Sequence, residues 1–247
     1  MRVRRGIFIA PFEELSEPRL VASLAARAQA RGWHGFFVWD HVSYRPPVRA
    51  LADPWVTLSA VAMATSTVVL GPLVTPVPRR RPHQLARETV TLDRLSGGRL
   101  VLGVGVGSDD TGEFDPGFLG EEPSMRSRAQ LLDAGLERLT AYWGGEFEPR
   151  PVQQPRIPVW VASRWPARRP MRRAARWDGW FPIDLPSPEA LASGIAEIGR
   201  DDGFDVIVTN PPGTDPEPWV RAGATWCLTG FGRQPTEAEV LAAIDAG

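Results

Sequence analysis

The feature that most constrains this chain is a rhythm. Eight short apolar runs alternate with segments that carry helix signals; the runs fall at residues 4–10, 35–39, 68–75, 100–106, 157–162, 179–183, 205–209 and 224–229. Each run is continuous in Val, Ile, Leu, Phe or Trp, which is how parallel strands covered on both faces read. The segments between them start and stop as helices do. Ser16-Glu17-Pro18 opens a run with Leu20, Leu24 and Ala28 on one face, and Gly32 closes it. Asp53-Pro54 is an N-cap followed by proline at the first helical position. Pro82 begins a helix that ends at Ser96-Gly97-Gly98, and Ser124 opens the longest, with Leu132, Leu136 and Leu139 in period. Ser187-Pro188-Glu189 starts another, and Thr236 with Glu239 makes a capping box before the last.

Eight strands in 247 residues leave about 30 residues for each βα unit, and a barrel of eight such units needs about 250. An open doubly wound sheet uses the same alternation, but eight consecutive parallel strands more often close. The predicted fold is therefore a single-domain (β/α)8 TIM barrel over residues 1–247, compact and with short insertions. Chemistry in such a barrel collects at the C-terminal ends of the strands.

Composition narrows the partners. A net charge of −1 gives no global attraction to nucleic acid or to an anionic membrane. Cys227 is the single cysteine, so no intramolecular disulfide forms and a cytoplasmic setting is expected. The opening MRVRRGIFIAP is too short in apolar residues for a signal peptide. No stretch approaches the roughly 20 apolar residues of a membrane helix.

Several strand ends carry chemistry. The second run stops at Asp40-His41, and an imidazole there can exchange a proton near neutral pH; a strand-end histidine held by a carboxylate with no chemistry is the plainer alternative. GVGVG at 103–107 lacks the spacing of a dinucleotide fingerprint. Glycine at alternating strand positions instead means that something bulky approaches the backbone. Ser163-Arg164 through Arg168 joins a strand to a helix holding Arg172, Arg173 and Arg176. That is a sound phosphate site or else a solvated basic helix. Arg79, Arg80 and Arg81 follow the third run as a basic rim, for an anionic group or for solvent. Asp109, Asp110, Glu113 and Asp115 could hold a cation, but so short a loop reads as hydrated. His34 and His83 read as structural or solvated. Three histidines, and RGIFIAPFEE as the first strand, are too few for a His-rich metal hydrolase, so no metal is expected.

In order, WDH, DPWVTLSAVAMAT, VVLGPLVTPVPRRRPHQLARETVTLDRLSGGRLVLGVGVGS and IPVWVASRWPARRPMRRAARWDGWFPI resemble the bacterial-luciferase-like superfamily over residues 3–183. These are flavin- and deazaflavin-dependent oxidoreductases. The resemblance implies that His41 meets the reactive edge of the cofactor ring, with Asp40 orienting the imidazole or its loop. It implies that Leu73, Val74 and Thr75 buttress the ring through a non-prolyl cis peptide at Leu73-Val74. Gly103, Gly105 and Gly107 would make room for the ring, and Ala162, Ser163, Arg164 and Arg168 would take its phosphate end. The family usually places glycine where Ala162 stands. The implied cofactor is dissociable: FMN for monooxygenation, or coenzyme F-420 for hydride transfer to a small organic substrate. Some flavin-dependent members have arginine where Val106 stands, so this chain and its arginine rim lean towards deazaflavin, while the family at large leans towards flavin. An aromatic pocket of Phe8, Trp39, Trp55, Trp160 and Trp180 is expected. A separate reductase and a homodimer through barrel-side helices are the implied partners. The competing reading is a non-catalytic flavin-binding barrel, suggested by the chain's brevity.

Overall fold

A computed structural model describes residues 3–122, 124–199 and 203–247. Its strands are β1 (Arg4–Ile9), β2 (Gly35–Val38), β3 (Val69–Pro72), β4 (Thr75–Pro76), β5 (Leu102–Gly105), β6 (Val159–Arg164), β7 (Gly179–Ile183), β8 (Asp205–Asn210) and β9 (Trp226–Gly230). All pair in parallel, in the order β3-β2-β1-β9-β8-β7-β6-β5-β4. The ring closes where the backbone at Leu70 bridges Leu100, with Leu70 N donating to Arg99 O and Val101 N to Leu70 O. Every predicted strand is present, and the architecture is the (β/α)8 barrel.

The third strand departs from expectation. It is two segments, and the Leu73-Val74 peptide between them is cis. The lower segment pairs with β2, and the upper one pairs with β5 through Thr75–Val104 and Pro76–Gly105. A second departure is that β6 continues through Ser163 and Arg164. These two residues are strand, not turn, so their side chains alternate between the two faces of the barrel wall.

The helices are α1 (Pro18–Ala30), α2 (Pro54–Ala64), α3 (Pro82–Ser96), α4 (Met125–Ala141), α5 (Arg168–Ala174), α6 (Pro188–Ile198), α7 (Glu217–Arg221) and α8 (Glu237–Ala246). Asp53, Ser124, Ser187 and Thr236 cap α2, α4, α6 and α8 as their sequences require, and Thr236 with Glu239 forms the full capping box. At α1 the cap is the Glu17 carboxylate, which accepts from Arg19 N at 3.2 Å, while the Ser16 hydroxyl turns back to Glu13 O. The five-residue α7 leaves the wall of β8 and β9 thinly covered. A cavity of about 1120 Å³ lies on that flank, against Ala242, Ala243 and Ala246 of α8, and not beside His41.

Inside the ring, Phe8, Phe37, Leu73, Val101, Trp160, Phe181, Ile207, Trp226 and Leu228 form a dry plug. Glycine makes room for its indoles: a methyl on Gly179 would stand 2.5 Å from Trp160 Cδ1, and one on Gly35 2.8 Å from Trp226 Cζ3. This plug corrects the expected pocket. Trp160 is wholly buried within it. Trp180 faces the helix layer, and Trp55, on α2, belongs to that layer as well. Phe8 and Trp39 remain together, with ring centroids 6.0 Å apart.

The closing seam leaves no space. A methyl on Gly71 would overlap the Val101 carbonyl oxygen, a backbone atom. Gly71→Ala is expected to cost about 3 kcal/mol and to lower Tm by roughly 6–12 °C. Gly144→Ala, whose methyl would meet nothing within 4 Å, is expected to stay within about 0.5 kcal/mol. Denaturant unfolding of the two variants compares them, and equal stabilities would refute the close-packed seam.

Candidate functional site

The ends of β2, β4 and β5 converge on a group of buried charges. Asp40, two residues past the end of β2, is 1% exposed. Its Oδ2 accepts from the Thr75 hydroxyl at 2.7 Å and the Trp55 indole at 3.2 Å. Its Oδ1 accepts from Arg79 and, at 3.0 Å, from Arg80. Arg79 also reaches the loop after β5, where its Nη1 donates to Glu113 Oε1 at 2.6 Å. Glu113 is fully buried. The same Oε1 accepts from the amides of Val42 at 2.7 Å and Ser43 at 3.2 Å. The other oxygen, Oε2, lies 3.0 Å from His41 Nδ1. Two carboxylates and two guanidiniums thus balance inside the wall, as buried charges must.

This arrangement fixes the state of the imidazole. Burial alone would raise the Glu113 carboxyl, but the His41 hydrogen bond, the Arg79 charge and the Val42 amide outweigh it and hold the group below its ordinary range. An ionised carboxylate only accepts. His41 therefore donates from Nδ1, and Nε2 carries the lone pair in the neutral ring. The ring is enclosed by Phe12, Trp39 and Tyr44 at centroid distances of 5.8, 5.8 and 5.0 Å.

The remaining predicted residues divide. Thr75 is buried, and its hydroxyl serves Asp40. Leu73 and Val74 pack on the barrel interior. The space beside Gly103 is taken by Leu73 and the Pro72 carbonyl, and that beside Gly107, at φ +82°, by the Phe114 ring. Gly105, Val74 and Ala162 make one wall of small groups, since a methyl on Gly105 would stand 2.8 Å from Val74 Cγ2 and 3.8 Å from Ala162 Cβ. Ser163 turns away from the mouth and accepts from Trp180 Nε1 at 2.7 Å. Arg164 lies at the rim, paired with Asp110 and Asp184 at 3.2 Å each. Arg168 is exposed, 3.6 Å from Glu197.

Two expectations change. Arg79 and Arg80 are not a solvent-facing rim; they turn inward onto Asp40 and Glu113, and only Arg81 is exposed. The acidic loop is not merely hydrated but ion-paired. Asp109 pairs with Arg128, Asp110 with Arg164 and Asp115 with Arg45, while Glu113 holds His41. Among the described residues no group of three potential ligands gathers to bind a metal. The partner of the His41 ring is Glu113, and Asp40 acts on the loop through Arg79. Sequence reasoning reads Glu113 only as part of the acidic loop and misses its place beside His41. Its one local signal is the neighbouring Phe114, the first large apolar residue after the acidic run.

Glu113→Gln removes a charge from this buried network, and about 3 kcal/mol of stability should be lost at pH 7. A carboxyl held low stabilises the fold above its unfolded value, about 4.3, and loses that contribution as pH falls through the lower folded value. The gap between wild type and variant should therefore narrow below about pH 4. Denaturant titrations at a series of pH values measure it, and a gap independent of pH would contradict the ionised assignment.

The described residues hold no helix long and apolar enough to cross a membrane. The sequence profile of the luciferase-like monooxygenase family matches residues 4–214. An uncharacterized protein of Mycobacterium tuberculosis is 30% identical over 85% of this chain and 86% of its own length. A phthiodiolone/phenolphthiodiolone dimycocerosates ketoreductase of the same species is 27% identical over 76% of this chain and 60% of its own. Among solved structures, an F420-dependent secondary alcohol dehydrogenase, in complex with an F420-acetone adduct, superposes with a TM-score of 0.78 at 18% identity, over 99% of this chain and 97% of that one. The monooxygenase RslO1 of Streptomyces bottropensis superposes with a TM-score of 0.74 at 18% identity, over 98% and 97%. The similarity to solved structures is one of fold, and the profile match gives the kinship: the chain belongs to the luciferase-like monooxygenase family of oxidoreductases.

Proposed function

We propose that the protein is an oxidoreductase using a dissociable flavin-type cofactor in the barrel mouth, with coenzyme F-420 and hydride transfer favoured over FMN and monooxygenation. The observation that carries the reading is the 3.0 Å contact between His41 Nδ1 and Glu113 Oε2, which readies Nε2 for proton transfer at the mouth. The small-residue wall of Val74, Gly105 and Ala162 suits a flat ring. Nearby, the Trp39 indole N–H is buried with no acceptor among the described residues. At the phosphate end, the hydroxyl of Ser163 is already engaged, which leaves Arg164. Its pairs with Asp110 and Asp184 are exposed, where such contacts contribute little, and so can be exchanged for a phosphate. Val106 in place of arginine favours the deazaflavin.

When bound, the reduced ring supplies a hydride in the deazaflavin case, or the electrons that activate oxygen in the FMN case. In ketone reduction the carbonyl carbon takes the hydride and the oxygen takes a proton. His41, as the imidazolium, delivers that proton from Nε2 and is left neutral; in the reverse direction the neutral Nε2 removes it from the alcohol. Glu113 fixes the tautomer and balances the charge of the imidazolium, while Arg79 keeps Glu113 ionised. Phe8, Phe12 and Trp39 exclude water beside the ring.

Parallel fluorescence titrations with coenzyme F-420 and FMN, oxidised and reduced, test the reading. F-420 is expected to bind selectively, and His41→Asn to slow substrate-linked cofactor oxidation by about 10²–10⁴ with F-420 affinity within threefold. Selective binding of reduced FMN with oxygen-dependent reoxidation would make it a monooxygenase. Binding without substrate-linked oxidation would make it a non-catalytic barrel. Failure of both cofactors to bind below about 1 mM, roughly 4 kcal/mol, would remove the cofactor reading altogether.

A further inference from the structure

The cavity on the flank of the barrel lies apart from the mouth, and the proposed chemistry makes no use of it. Its floor is the outer face of β9, where Cys227 and Thr229 point away from the plug while Leu228 points into it. Helix α8 forms one side, and the five-residue α7 leaves the other open. At about 1120 Å³ it is just above the roughly 300–1,000 Å³ of ordinary ligand pockets. From Cys227 to Phe231 it runs about 13 Å, four residues at roughly 3.3 Å each.

Two of its lining side chains are charged, Arg5 and Glu239. Glu239 is committed to the cap of α8, where its Oε2 accepts from the Thr236 amide at 2.8 Å and hydroxyl at 3.0 Å. Arg5 is half-buried and lies over the Trp33 ring, 4.9 Å from its centroid. That indole is fixed in turn, with Nε1 donating to Ile244 O at 3.1 Å. The guanidinium donates to the Gly247 oxygen, and among the described residues no carboxylate side chain pairs with it. Across the β1–β9 pairing Arg5 stands beside Cys227. Burial pushes that thiol up to about 11, so it stays neutral at pH 7 and offers Arg5 no anion.

A half-buried cation at one end of an apolar trough suits an anion that carries an apolar body. A carboxylate can replace the contact to exposed Gly247 with charge-assisted bonds, which are roughly twice as strong as neutral ones. A protein partner fits less well. It would need about 800 Å² of surface with an apolar centre, and none of the large apolar side chains exposed among the described residues, Val42, Val56 and Phe118 included, lines the cavity.

We propose that this cavity is a second ligand site, which takes an amphipathic monocarboxylate with its carboxylate on Arg5 and its apolar body along Cys227, Ala243 and Ala246. The proposal is independent of the cofactor reading, since none of the residues described in contact with His41 lines this cavity.

Octanoate, 1-octanol and octylammonium, which share a chain and differ in charge, are the probes. Ligand-observed saturation-transfer NMR on the purified protein gives their affinities, and the rise in Tm on ligand addition gives a second readout. Octanoate is expected to bind at least tenfold more tightly than octanol, and octylammonium more weakly than either. Arg5→Gln is expected to weaken octanoate about tenfold. Ala243→Trp fills the trough and is expected to abolish binding; Ala246→Trp, at an exposed position that folding tolerates, is expected to weaken it at least tenfold. His41→Asn should leave the octanoate affinity unchanged. Octanol binding as tightly as octanoate would overturn the proposal, as would an unchanged affinity in Arg5→Gln or in a folded Trp variant. Absence of octanoate binding, or its loss in His41→Asn, would overturn it too, the latter by placing the ligand in the mouth.

Discussion

Everything at the mouth depends on one arginine. Arg79 stands between Asp40 and Glu113, and without its charge two carboxylates would be buried near each other in a medium that penalises both. Its guanidinium is suited to this role: it is planar, always protonated, and offers donors on two sides at once. Through it the end of β2 and the loop after β5 are fixed relative to each other. The imidazole rests on that framework at the distance that sets its tautomer.

The network also assigns labour among the acids. Asp40 faces the wall and takes Thr75, Trp55, Arg79 and Arg80, so its part is to hold β2, β4 and α2 in place. Glu113 faces His41, and its part is electrostatic. Neighbouring Asp110 and Asp115 pair at the surface, where such contacts contribute little. Identical side-chain chemistry thus serves three purposes within one short loop and one strand end, and burial decides which.

The barrel was legible because hydrophobic periodicity and capping are local, and both survived into the structure. All eight runs became strands, and the caps at Asp53, Ser124, Ser187 and Thr236 stand where their sequences place them. The short α7 was not legible, since Pro216 and Pro218 obscure any helical period. At the site, His41 was legible as a scarce titratable group at a strand end. Glu113 was not, because its meaning lies in a partner 72 residues away. Arg79 and Arg80 were misplaced for the same reason: a local charge run does not reveal buried carboxylates brought to it by other strands. The direction of the Ser163 hydroxyl was not legible either, because strand alternation sends it to Trp180.

The divided third strand has a consequence for how far such a mouth can be altered. The main-chain ladder between β2 and its neighbour runs out at Val38–Pro72. Above that point the join is made by side chains, with the Thr75 hydroxyl on Asp40 and Asp40 on the arginine pair. The ring is clasped at its upper edge by the same groups that position the histidine. Variation in those groups loosens the vessel as well as its contents. Diversification is therefore left to the lip, where Val42 and Phe118 bear no such duty.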